Sequence, residues 1–131
     1  IEAITGWREV QRDKNAGGNP LRLGGRTYEK GVGVHAGSEL LYPIQPDYGR
    51  FVAKVGIDDT QAPDGSIVAR IFADDALLDQ SPLLRGGDAP WPIDVAITDG
   101  ARRLKLLITD GGDSIAHDMT NWVEAGFLHR D

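Results

Sequence analysis

Apolar residues along this chain recur with a period of two far more clearly than with the helical period of 3.6. Segments 50–57, 93–97 and 103–108 each place alternate apolar side chains on one face. The residues on those faces are Phe51, Ala53, Val55 and Ile57, then Ile93, Val95 and Ile97, then Leu104, Leu106 and Ile108. This pattern is typical of half-buried strands, so the chain is predicted to be all-β.

Segment 66–73 is apolar on both parities except at Arg70, which predicts an interior strand. The residues Ala73-Asp74-Asp75-Ala76 then predict a turn, with a returning strand over 77–80. Further strands are predicted over 7–11, 21–23, 26–28, 31–35, 39–42 and 122–129.

Glycine is abundant, at 17 of 131 residues, and its pairs fall between the predicted strands. Leu23-Gly24-Gly25-Arg26 predicts a tight hairpin, because two glycines adopt positive φ at little steric cost. Many short strands with turns between them indicate one domain over residues 1–131. We expect a two-sheet β-sandwich of jelly-roll type, with about eight to ten strands.

Composition narrows the classes of partner. The chain carries 14 basic and 20 acidic residues, a formal charge of −6, which disfavours nucleic acid because phosphate binding needs clustered Lys and Arg. No apolar stretch approaches the roughly 20 residues that cross a bilayer, so no membrane partner is expected. The sequence begins with Ile1 and has no cysteine, and we expect a mature product or one domain of a longer chain.

A catalytic interpretation finds little support. The sequence has neither a Gly-x-Ser-x-Gly elbow nor a His-Glu-x-x-His helix. The adjacent pairs Asp58-Asp59 and Asp74-Asp75 could suggest glycosidase chemistry, but neighbouring strand residues point to opposite faces. Turn chemistry is the preferred interpretation of both pairs.

Two patterns favour binding. Segments 13–20 and 110–113 combine oxygen side chains with glycines, as a Ca²⁺ site requires, although the same residues also build ordinary turns. Segment 110–122 is polar and closes on Trp122, and saccharide sites combine hydrogen-bonding groups with an aromatic ring. The alternatives remain open: Trp122 as a core or rim residue, and His35 as a buried histidine.

Two strings carry a resemblance to a known family. They are Gly17-Gly18-Asn19-Pro20-Leu21 and Tyr28-Glu29-Lys30-Gly31-Val32-Gly33-Val34-His35-Ala36, with Asn121-Trp122-Val123-Glu124-Ala125 following later. Over Trp7 to Leu128 the chain resembles the NPCBM/NEW2 domain. The resemblance implies a jelly-roll sandwich appended to extracellular glycoside hydrolases. It also implies a non-catalytic module that binds terminal galactose, including blood-group sugars, and carries a structural calcium.

The resemblance also suggests site residues. His35, Asp110, Asp113 and Trp122 match motif positions for the sugar, with His117 and Asp118 added as loop neighbours. By analogy with related jelly-roll modules, the calcium candidates are Asp13, Asn15, Asn19 and Glu124, the last where the family more often has Asp. We therefore expect a secreted or cell-surface carbohydrate-binding module, covalently linked to neighbouring domains. The alternative is a structural or protein-interaction domain that has lost sugar binding.

Overall fold

The computed structural model describes residues 2–4, 11–13, 19–35, 37–61, 65–110 and 119–129. These residues form thirteen strands and a short 3₁₀ turn at Asp59–Gln61. The strands are β1 Glu2–Ile4, β2 Gln11–Arg12, β3 Leu21–Leu23, β4 Arg26–Tyr28, β5 Gly31–His35, β6 Ser38–Pro43, β7 Tyr48–Ile57, β8 Ser66–Ala73, β9 Ala76–Gln80, β10 Leu84–Arg85, β11 Trp91–Ala96, β12 Arg103–Asp110 and β13 Met119–His129. Within the described residues, no helix could span a membrane.

Two antiparallel sheets face each other across one core. Sheet A has the order β1-β6-β12-β8-β10, with β9 also paired to β8, and sheet B has the order β11-β7-β13-β5-β2. Between them lies the main cluster of buried side chains, to which Leu40, Leu104 and Leu106 contribute from sheet A and Val34, Val55 and Trp122 from sheet B. The predicted all-β sandwich is confirmed, and its core follows the alternation in the sequence.

A third pair of strands, the β3–β4 hairpin, adds a second, smaller cluster. This cluster consists of Leu21, Leu23, Tyr28 and Val123. Val123 pairs with Gly31 and Lys54, one register step from Trp122, which contributes to the main core. Because successive side chains alternate across a sheet, the hairpin covers the face of sheet B that points away from sheet A.

The predicted hairpins are confirmed at their turns. Gly24 and Gly25 have φ of 58° and 84°, and Asp74 and Asp75 have 47° and 73°, as two-residue turns with positive φ require. Strands β1 and β10 have no counterpart in the sequence prediction. Most of the strand predicted over 7–11 lies outside the described residues.

The last strand begins at Met119 rather than at Trp122, which matters for the candidate site. β13 starts three residues earlier than predicted, because Met119 and Thr120 pair with β5 and Thr120 also pairs with β7. Trp122 is therefore inside a strand and not at the end of a loop.

Candidate functional site

One end of the sandwich brings together two of the residues assigned to sugar binding. His35 is the last residue of β5 and pairs with Met119, the first residue of β13. Three residues after His35, Ser38 opens β6 and pairs with Ile108, two residues before the end of β12 at Asp110. His35 and Asp110 thus lie at the same end of the two sheets. Asp113, His117 and Asp118, in the segment that connects β12 to β13, lie outside the described residues.

The two described residues differ in accessibility. The side chain of His35 is buried, with the residue 1% exposed, whereas Asp110 is half-buried. A half-buried carboxylate at a sheet end can accept hydrogen bonds from ligand hydroxyl groups. Asp110 is therefore the more accessible of the two.

Trp122 is a core residue, which is one of the two alternatives that the sequence left open. The residue is 1% exposed and belongs to the main core, where it pairs with Val32 and Val55. Its ring therefore lies between the sheets. The side chain of Met119, the strand partner of His35, is on the opposite face of β13, so the ring is not beside His35. In the described part of the chain, the buried indole Nε1 has no hydrogen-bond partner.

A cavity of about 520 Å³ opens between the two sheets, on the side of Trp122 away from Met119. Its volume falls in the range of small-molecule sites. It is separate from the polar end that holds His35 and Asp110. The described residues that line it are Asp13, Lys30, Gly31, Val32, Tyr42, Phe51, Leu106, Trp122, Ala125, Gly126 and Phe127.

Two of the calcium candidates lie on either side of the Lys30–Gly31 peptide. Asp13 donates its backbone N–H to the Gly31 oxygen at 2.7 Å, and its Oδ1 accepts from Gly31 N at 3.0 Å. Glu124 donates its backbone N–H to the Lys30 oxygen at 3.3 Å. Both residues have positive φ, 59° for Asp13 and 51° for Glu124. The structure therefore places Asp13 and Glu124 next to one peptide unit, on opposite sides of it.

Both carboxylates also have cations beside them. Lys54 Nζ lies 3.1 Å from Glu124 Oε2, Arg26 lies 3.6 Å from Glu124 Oε1, and Lys30 Nζ lies 3.5 Å from Asp13 Oδ2. Asn19 is exposed, and Asn15 lies outside the described residues. Among the residues that the structure describes, no cluster of three metal-ligating side chains occurs. A cation at Glu124 would have to compete with Lys54 and Arg26.

The paired carboxylates Asp58 and Asp59 hold the β3–β4 hairpin. Asp59 accepts the backbone N–H groups of Gly24 and Gly25, at 3.0 and 2.7 Å, and so fixes the hairpin turn. Asp58 is fully buried and accepts from the backbone of Arg22 at 3.2 Å and from the side-chain amide of Asn121 at 2.6 Å. Both carboxylates therefore have hydrogen-bond partners within the fold, and Asp59 has the turn role that the sequence favoured.

Comparison with known proteins identifies the family to which this fold belongs. The family model described as the NPCBM/NEW2 domain matches residues 1–128. The chain belongs to this family. The NPCBM domain is a carbohydrate-binding module and is non-catalytic, which agrees with the engaged carboxylates of Asp58 and Asp59.

Relatives and solved structures agree with the assignment. The NPCBM domain is 36% identical over 129 residues to a candidate endo-alpha-N-acetylgalactosaminidase of Renibacterium salmoninarum, covering 94% of this chain and 8% of that protein. It is 29% identical over 118 residues to alpha-1,3-galactosidase B of Akkermansia muciniphila, covering 88% of this chain and 15% of that protein.

Among solved structures, the CBM51 module of GH95 from Clostridium perfringens, in complex with methyl-galactose, has 34% sequence identity and a TM-score of 0.89. The match covers 97% of this chain and 92% of that one. The CBM51-2 module of Clostridium perfringens ZmpB, solved with GlcNAc and INT domains, has 25% identity and a TM-score of 0.89, with 96% of this chain and 29% of that one covered.

The glycines of the NPCBM motif have a structural reason in this chain. A Cβ on Gly31 would clash with the carbonyl oxygen of Trp122 and would lie 3.0 Å from Leu21 Cδ1. Gly33 and Gly56 pair with Asn121 from the two neighbouring strands. Glycine at these positions lets the β3–β4 hairpin approach sheet B closely. Sequence reasoning missed the role of Asn121, because its partner Asp58 is 63 residues away along the chain.

Proposed function

We propose that this NPCBM domain binds terminal galactose-type sugars on glycans and holds an attached protein at them. The observation that carries the proposal is the similarity to the CBM51 module solved with methyl-galactose, at 34% identity over 97% of this chain. The likeness extends over the whole fold rather than over one motif, with a TM-score of 0.89. The acidic charge of −6 suits a neutral sugar better than an anionic one.

The proposed sugar site is the end of the sandwich that holds His35 and Asp110, together with Asp113, His117 and Asp118 of the connecting segment. Imidazole and carboxylate groups hydrogen-bond sugar hydroxyls, and five such residues are concentrated at the ends of β5 and β12 and in the stretch that follows. We leave Trp122 out of the contact set because its ring lies between the sheets, on the opposite face of β13 from Met119, the strand partner of His35. A site of this kind should bind weakly, on the order of −4 to −8 kcal/mol, since ordering and desolvation offset much of the contact energy.

Titration tests the proposal directly. Methyl-galactose is titrated into the native chain by calorimetry or NMR, with N-acetylglucosamine and glucose as comparison sugars. Asp110→Ala should weaken galactose binding about tenfold or more, because a hydrogen bond to a charged group contributes about 1.5–3 kcal/mol. Asp47→Ala is the matched control, since Asp47 lies beside β7 at the opposite end of the sandwich and bonds His129. Equal affinities of the two variants would contradict the proposed site.

A second candidate function is a structural or protein-interaction domain that no longer binds sugar. The burial of His35 and of Trp122 favours it, because two of the residues assigned from the motif are 1% exposed. A glycan array decides between the two functions. Binding to galactose-terminated glycans supports the module proposed above, and an array without signal in the presence of calcium supports the alternative.

We also propose a structural calcium ion held by Asp13 and Glu124, with Asn15 and Asn19 supplying further oxygen ligands. The support is the placement of Asp13 and Glu124 on either side of the Lys30–Gly31 peptide. Carboxylate and amide oxygens are the ligands that calcium prefers. Bound calcium would neutralise the two carboxylates and tie the segment after β2 to the middle of β13.

The proposed setting is a longer, secreted or cell-surface protein, extracellular or periplasmic. The support is the small share of the curated relatives that this chain spans, 8% and 15%, and the names of those relatives, which describe glycoside-cleaving proteins. In such a protein this single module would cover residues 1–131 and keep the attached domain near its glycan.

A further inference from the structure

We propose that Asp58 and Asn121 are positioning residues for the sugar-binding end of the domain. The inference rests on the proposed function, because it assigns a role toward that same site. Neither residue contacts the proposed ligand. They hold the strand start at Met119, on which the pairing with His35 and the connection to Asp110 depend.

The carboxylate of Asp58 is fully buried and accepts hydrogen bonds at both oxygens. Oδ1 accepts from the backbone N–H of Thr60 at 3.0 Å and from its hydroxyl at 2.7 Å. Oδ2 accepts from Asn121 Nδ2 at 2.6 Å and from the backbone N–H of Arg22 at 3.2 Å. Two donors thus converge on each oxygen, and a buried group with this many partners has one well-defined position.

Asn121 completes the connection from the opposite strand. Besides bonding Asp58, its Nδ2 donates to the Arg22 carbonyl at 3.4 Å, so the two side chains bond both backbone polar groups of one residue in β3. The amide is 0% exposed and lies beside Gly33 and Gly56, which present no side chain. These two bonds fix the orientation of the amide, because a flipped amide would place Oδ1 against the Asp58 carboxylate and the Arg22 carbonyl.

The network reaches the proposed sugar site through one backbone bond. The N–H of Asp58 donates to the carbonyl oxygen of Met119 at 2.8 Å. Met119 is the strand partner of His35 and stands two residues before Asn121. Met119 is thus held by the backbone of Asp58 and by the anchored Asn121, two residues later in β13. The position of Met119 in turn sets the point at which the chain after Asp110 returns to the sheet.

The network is sensitive to a substitution that preserves shape. In Asp58→Asn the side-chain oxygen can accept on one side only, and the new NH₂ group faces two donors on the other side. An unpaired buried donor of this kind destabilises its site. Exchanging the two residues does not repair the network, because Asn121→Asp places a carboxylate oxygen against the Arg22 carbonyl and Asp58→Asn leaves an NH₂ group facing the Arg22 N–H.

The test measures methyl-galactose affinity by NMR titration, at a temperature where every variant is folded, together with amide hydrogen exchange at residues 119–121. Asp59→Asn is the matched control: it is the same change at the adjacent carboxylate, which also holds the hairpin but bonds only Gly24 and Gly25 in the described part of the chain. Asp58→Asn should weaken binding about tenfold, equivalent to about 1.4 kcal/mol, and should speed exchange at residues 119–121. The control should do neither.

Asn121→Ser provides a second variant should Asp58→Asn fail to fold, and the same loss of affinity is expected from it. If the native chain binds methyl-galactose and both variants bind as tightly as the control, the positioning role is overturned while the proposed function stands. If the native chain binds no sugar, the proposed function fails and the positioning role falls with it.

Discussion

The ammonium group of Lys54 lies 3.1 Å from the carboxylate of Glu124, at the position in β13 where the backbone adopts a φ of 51°. Arg26 approaches the same carboxylate at 3.6 Å, so Glu124 has two cations of the protein beside it. All three side chains are substantially exposed, which makes these contacts weak and exchangeable. Glu124 can therefore exchange these ion pairs for a bound metal ion with only a small loss of free energy.

Calcium should stabilise the domain if Asp13 and Glu124 bind it. At a concentration about 100 times its Kd, an ion that binds only the folded state raises the free energy of unfolding by about 2.7 kcal/mol. Thermal melting with calcium and with a chelator measures the effect. Identical melting temperatures in the two conditions would remove the calcium proposal.

Lys54→Met should tighten calcium binding about twofold to fivefold, because an exposed ion pair contributes roughly 0.2–1 kcal/mol and its loss removes a competing cation. Lys105→Met is the control, since Lys105 lies 4.0 Å from Asp75 on sheet A, away from Glu124. Calorimetric titration of both variants with calcium gives the comparison. Weaker binding by Lys54→Met would contradict a ligand role for Glu124.

Substitution of Trp122 should affect stability more than sugar binding. Trp122→Ala leaves a large cavity in the main core, and such changes lower the free energy of unfolding by about 3–5 kcal/mol. Trp122→Phe keeps most of the ring and should cost less. Urea unfolding measures both. The same proteins titrated with methyl-galactose at low temperature should retain the native affinity, and a loss in Trp122→Phe would show that the indole contacts the sugar.

Three glycine-to-alanine substitutions should lower the free energy of unfolding by amounts that follow a fixed order. At Gly31 a Cβ would clash with the backbone oxygen of Trp122, at Gly56 it would lie 3.2 Å from Leu23 Cδ2, and at Gly126 it meets nothing within 4 Å. A backbone atom cannot move aside as a side-chain methyl can. Gly31→Ala should therefore cost about 3 kcal/mol or more, Gly56→Ala about 1 kcal/mol, and Gly126→Ala close to nothing. Chemical denaturation gives the ranking, and any other order would refute it.

Two glycine substitutions in the β8–β9 turn should change the stability of the domain in opposite directions. Asp75 has a φ of 73° and a side chain that is 97% exposed, so Asp75→Gly relieves backbone strain and should stabilise by about 0.5–1 kcal/mol. Asp74→Gly relieves similar strain but removes the acceptor of the Arg102 and Arg103 backbone N–H groups, and should destabilise. Shifts of the two melting temperatures in the same direction would contradict this account.

Local features of the fold were predictable because each depends on neighbours in sequence. The Gly24-Gly25 and Asp74-Asp75 turns follow from backbone preference, and strands such as β7 follow from alternation. The sequence left open whether Trp122 is a core residue, because its burial depends on where pairing with β5 and β7 starts. A shift of that start moves the indole from a loop end into the core.

Long-range polar contacts could not be predicted in the same way. Nothing in the sequence near Asp58 indicates that its carboxylate accepts a hydrogen bond from Asn121, 63 residues later. The glycines at positions 31 and 56 were visible in the sequence, but only the hairpin that packs against them explains why these positions have no room for a side chain.

The two sheets depend on the last strands of the chain for their completion. β12 lies between β6 and β8, and β13 lies between β7 and β5, so each sheet is in two separate pieces until these strands have been added. During synthesis on the ribosome, neither half of sheet B can close before β13 has left the exit tunnel. The nascent module therefore stays open, with its apolar faces available to chaperones, until nearly all of it has been translated.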